Sequence, residues 1–110
     1  CVLYPDFDMA IDDMQMSLIE ARIGIESALR EIASSHNWEV PWRSTVSTLV
    51  DFLLRKGTVL GEDEASLVHD WLPTLNRAAH AMPYARNTAQ IIARSAPVFI
   101  GRLRRKALTE

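Results

Sequence analysis

The strongest constraint on the fold is a run of apolar residues, Ile11, Met14, Leu18, Ala21, Ile25, Ala28 and Ile32, recurring at alternating steps of three and four. That spacing keeps one stripe on one side of an α-helix and scatters side chains over both faces of a strand. It predicts an amphipathic helix of about seven turns. Asp6 or Asp8 is placed to cap it, Asp12 and Asp13 sit favourably at the positive end of its dipole, and "SSHN" reads as its stop. No stretch alternates with period two for long enough to form a strand.

Further along, Pro41 holds Val40 out of the helical region and makes "WEVPW" a linker. A second helix is expected from about Arg43 to Lys56, with Val46, Leu49, Val50, Leu53 and Leu54 inward and Gly57 as its cap. A third starts near Glu62, with acids in its first turn and Leu67, Val68, Trp71, Leu72 and Leu75 inward. Pro73 lacks the N–H that would bond back four residues, so it must kink this helix or begin another. A last helix is expected from about Asn87 to Lys106, burying Ile91, Ile92, Val98, Phe99 and Leu103, with a second kink at Pro97. The fold class is therefore all-α: a four-helix up-and-down bundle with proline kinks in the third and fourth helices. The 110 residues form a single domain after an irregular segment 1–8.

Composition narrows the function classes. The longest uncharged apolar runs, such as "SAPVFIG", are too short to span a bilayer, so no membrane partner is expected. The acidic start "CVLYPDFDMAIDDMQ" is unlike a secretory signal, which makes the cytoplasm the expected compartment. Cys1 is the only cysteine, so neither an internal disulfide nor a cysteine zinc site can form within the chain. A start at Cys rather than Met also suits a piece of a larger protein in which this domain is structural. Residues 1–39 carry eight acids against Arg22 and Arg30, a balance of −6, while residues 40–110 carry six acids against ten bases, or +4. Such asymmetry suits pairing of two copies or an anionic partner, and equally suits solvated faces that complement each other within one domain.

There is no glycine-rich phosphate loop and no paired cysteine, and His36, His69 and His80 have no metal-ligand spacing. No cofactor or metal is expected. Trp71 falls on an apolar stripe, and Trp38 and Trp42 flank the proline linker, so all three are expected to pack in the core or as a lid. "RLRRK" at 102–106 reads as a helix end carrying the cations its dipole favours.

The stretch "LNRAAHAM" remains, with an amide, a guanidinium and an imidazole within one and a half turns. Asn76 and His80, four apart, share a face, and Arg77 is rotated about a quarter turn away. The plain reading is that the His80 imidazole closes the helix end and the Asn76 amide bonds a neighbouring backbone group.

The order of elements, "SLIEARIGIESALREIA", "STLVDFLLRKG", "LPTLNRAAHA" and "AQIIARSAPVFIGRL", resembles the HEPN superfamily (higher eukaryotes and prokaryotes nucleotide-binding) over about residues 9–105. It resembles in particular members in which a helix ends "R-N-x-x-x-H" before the last helix. The resemblance implies a homodimer with an RNA, nucleotide or protein partner, and in active members a metal-independent ribonuclease cleft shared by two copies. There His supplies a base or acid near neutral pH and Arg a cation beside the phosphate. Asn76 matches the polar position and His80 the His, while Leu75 stands where the family has Arg; Arg77, two positions on, is the candidate to replace it. The resemblance thus implies a non-catalytic binding or regulatory module tied to a bacterial defence or toxin system, with a ribonuclease using His80, Asn76 and a displaced Arg77 as the alternative.

Overall fold

A computed structural model describes residues 13–57 and 60–109; the irregular segment 1–8, the caps Asp6 and Asp8, Ile11 and Asp12 lie outside them. The described chain is the expected all-α bundle of four helices: α1 (Asp13–Ser35), α2 (Val46–Lys56), α3 (Glu62–Ala79) and α4 (Arg86–Thr109).

The long stripe does what its period requires. Leu18, Ala21, Ile25, Ala28 and Ile32 of α1 are buried, with Leu29 and Ala33 beside them. They meet Leu49, Val50 and Leu53 of α2, Val68, Trp71, Leu72 and Leu75 of α3, and Ile92, Phe99 and Leu103 of α4 in one core. The Trp71 and Phe99 rings join α3 to α4 edge to face, 5.5 Å apart. Burial of about 1.5–3 kcal/mol per large side chain makes this core the main support of the fold.

Two expectations need correction. Ile91 and Val98 face solvent, 62% and 65% exposed, because the inward line of α4 runs Ala89, Ile92, Ala96, Phe99, Leu103. Each misplaced residue is one step, about 100°, from that line. The second helix starts at Val46 rather than near Arg43, because Thr45 closes a capping box with Thr48 and Arg43 takes a left-handed φ of 61°. Of the two options at Pro73, α3 runs on through it without restarting, and α4 likewise contains Pro97; both prolines are exposed. The other ends follow their signals: Asn37 leaves α1 at φ 60°, and Gly57 caps α2 at φ 86°.

Contacts between elements fix their directions. The Gln15 amide reaches the Ala78 carbonyl near the end of α3, and the Lys106 ammonium lies 3.1 Å from a Glu64 oxygen at its start. Ile100 of α4 lies against Gly24 of α1, where an added Cβ would come within 2.7 Å of the isoleucine Cδ1. Hence α3 runs opposite to α4, and the first half of α1 lies against the end of α3. The start of α1, the end of α3 and the start of α4 share one end of the bundle.

Candidate functional site

That shared end holds the polar cluster. Leu75 and Ala78 on α3 are fully buried, which turns Asn76, Arg77 and His80 outward. Asn76 does not bond backbone as expected. Its Oδ1 accepts from Nε of Arg22, 3.0 Å away and 54 residues earlier, so α1 brings a guanidinium to the amide. The Gln15 amide of the same helix donates 3.0 Å to the Ala78 carbonyl, satisfying one of the orphan acceptors at the end of α3.

His80 closes the helix through its backbone, not its ring. Its N–H donates to the Asn76 carbonyl at 3.1 Å, and the chain then turns at Ala81, where φ is 56°. Ala81 N–H bonds the Ala78 carbonyl at 3.2 Å and Met82 N–H the Arg77 carbonyl at 2.8 Å. This pair of bonds is a Schellman ending built on alanine where glycine is the usual choice. The His80 imidazole is exposed and makes no hydrogen bond or ion pair among the described residues. Arg77 is turned toward the loop after the helix, where Nη1 donates 3.3 Å to the Pro83 carbonyl.

The structure thus puts Asn76 and His80 one turn apart on an open surface, ties Arg77 to the following loop, and adds Arg22. Reading the sequence along α3 misses Arg22. Its only trace is its position four after Leu18, at the edge of the α1 stripe, where a neighbouring helix must pass. Chemically, the cluster offers an exposed imidazole and two guanidiniums, a set suited to holding a phosphate or carboxylate. No grouping of three metal-capable side chains occurs among the described residues, and no described helix is long and apolar enough to cross a membrane.

The other aromatic expectations divide. Trp71 is in the core, and Trp38 is half-buried with His36 stacked on it at 4.4 Å. Trp42 is neither core nor lid: it stands 85% exposed. Compared with known protein families, with curated proteins and with solved structures, the chain matches none.

Proposed function

We propose that the chain is a non-catalytic binding or regulatory module of HEPN type that works as a homodimer. The observation that carries this reading is the full burial of Leu75. In the resembling family the residue before the polar position supplies the cation for cleavage; here that position belongs to the core and cannot present a charge to a ligand. Arg86 and Asn87 repeat the Arg-Asn step at the start of α4, but Ile91 stands where the His would follow. Neither place therefore pairs Arg with His. Loss of one transition-state contact of this kind typically costs about a hundredfold or more in rate, while an exposed imidazole with nearby guanidiniums still serves for holding an anion. The setting, a bacterial defence or toxin-linked system, follows from the resemblance alone.

A second reading is favoured by one contact. Arg22 brings its guanidinium to Asn76, so α1 supplies in space a cation that Leu75 does not supply in sequence. On that reading His80 and Arg22, facing a second copy, form a metal-independent ribonuclease that leaves cyclic phosphate ends. Incubation of a labelled mixed-sequence RNA in EDTA separates the two. The binding reading expects an anisotropy rise that Arg22→Met and His80→Ala reduce, with no cleavage by any form. Cleavage by the wild type that His80→Ala abolishes would replace it with the enzyme reading.

A further inference from the structure

The two large residues of α4 that the core does not take, Ile91 and Val98, are not scattered. Ile91, Ser95, Val98 and Arg102 recur at steps of four, three and four, the spacing of one helix face. That face lies one step, about 100°, from the buried line through Ile92, Phe99 and Leu103. α4 thus carries a second stripe, and no described element covers its apolar residues, which stay 62% and 65% exposed.

Beside this stripe α3 and α4 meet through the Trp71 and Phe99 rings, and over that contact the surface sinks into a concavity of about 320 Å³. Leu67 and Trp71 of α3 form one wall; Arg94, Val98, Phe99 and Arg102 of α4 form the other. Two walls from antiparallel helices make a groove of the kind that receives the apolar side of a third helix. Its charge is one-sided. α4 contains no acidic residue, and Arg94 and Arg102, both exposed, make no hydrogen bond or ion pair among the described residues. Glu62 and Asp63 stand beside Arg102, so the unmatched positive charge is greatest at the Arg94 end.

We propose that this groove is the docking site for an acidic amphipathic helix of a partner protein, its apolar side on Leu67, Ile91 and Val98 and its carboxylates against Arg94 and Arg102. Free arginines beside an apolar floor select such a helix by charge and hold it by burial. Nucleic acid fits less well, because it needs ring faces to stack on, whereas Trp71 and Phe99 are buried and the exposed groove residues are aliphatic. A lipid surface is flat and cannot follow the concavity. On α3, Leu67 and Asn76 are nine residues apart, two and a half turns, and so point to opposite sides. The Asn76 and His80 face, where the resemblance places the second copy, therefore stays open, and the homodimer and this site stand or fall separately.

The probe is a fluorescent peptide of about 18 residues with leucine at helical spacing on one face and glutamate on the other. It is titrated with the full chain, and far-UV circular dichroism verifies that each variant is folded. Saturable binding is expected, weakened about tenfold or more by Val98→Glu and by Arg94→Glu. Trp42→Ala should leave it unchanged, since that exposed ring sits outside the groove on the turn that Arg30 clamps at the Ser44 carbonyl. A peptide with lysine in place of glutamate is expected to bind about tenfold more weakly and to regain affinity for Arg94→Glu, a gain that loss of fold cannot give. Amide NMR signals of Leu67, Ser95 and Val98 should shift on addition of the peptide, and those of Asn76 and His80 should not. Absence of saturable binding, shifts confined to Asn76 and His80, or equal affinity for the two peptides would overturn the proposal. Loss of RNA binding in Arg94→Glu with peptide binding unchanged would give the groove to nucleic acid, and a lower sedimenting mass in Val98→Glu would give it to a second copy; either result equally overturns it.

Discussion

Leu75 is the residue on which the functional reading turns, and its burial makes a quantitative prediction. The side chain is fully inside the core, so Leu75→Ala removes its transfer free energy and leaves a cavity, costing about 3 kcal/mol. At about 4 °C per kcal/mol for a domain of this size, the melting temperature falls by about 12 °C. Leu75→Arg is worse. It forfeits about 2 kcal/mol of burial and adds an unpaired cation, a penalty of several kcal/mol more. No buried polar or charged residue among those described is available to meet it. Together these approach the whole stability of a 110-residue domain, about 5–15 kcal/mol, and the variant is expected to be unfolded or aggregated at 37 °C. Asn76→Arg, one position on and exposed, serves as the control and should melt within about 2 °C of the wild type. Thermal and urea unfolding followed at 222 nm give the answer. A folded Leu75→Arg with a near-native melting temperature would show that position 75 reaches solvent, and the argument that the family cation cannot stand there would collapse.

Other consequences concern backbone and caps. Ala81→Gly relieves a left-handed alanine at φ 56° and should stabilise by about 1 kcal/mol, read as a rise of about 4 °C in the melting temperature. Gly101→Ala places a methyl where nothing lies within 4 Å, inside a helix; a gain of about 0.5–1 kcal/mol in urea unfolding is expected, and a loss would mean that α4 is packed there. Thr45→Ala breaks the capping box at α2 and should cost about 1 kcal/mol, with Thr45→Ser restoring most of it. For Arg22→Met, whose bond to Asn76 is exposed, stability should change by less than about 0.5 kcal/mol while RNA anisotropy falls, which separates a binding role from a structural one.

Much of the fold was legible because period, caps and breakers are local. The three-and-four stripe of α1 needed no partner to be read, and Gly57 signalled its own left-handed turn. The misreadings have one cause: sequence shows residue type before it shows direction. On α4 the bulk of Ile91 and Val98 outweighs the small Ala89 and Ala96, yet only the latter continue the line through Ile92, Phe99 and Leu103. Trp42 reads like Trp38, since both border Pro41. What separates them is tertiary: His36 and Lys56 cover Trp38, while the clamped turn leads Trp42 away from the core.

The candidate site shows the same limit from the other side. Asn76, Arg77 and His80 could be picked out along α3 because a helix makes neighbours of residues three and four apart. Whether they amount to a motif depends on the residues beside them in space. Leu75 matches the motif position in sequence but is directed into the core, and Arg22 has no place in the motif yet stands against Asn76. A cation carried on α1 is held only as firmly as α1 and α3 are packed together, which happens through Gln15, Arg22 and the apolar residues below them. Ligand affinity at this end is thereby tied to the seating of α1.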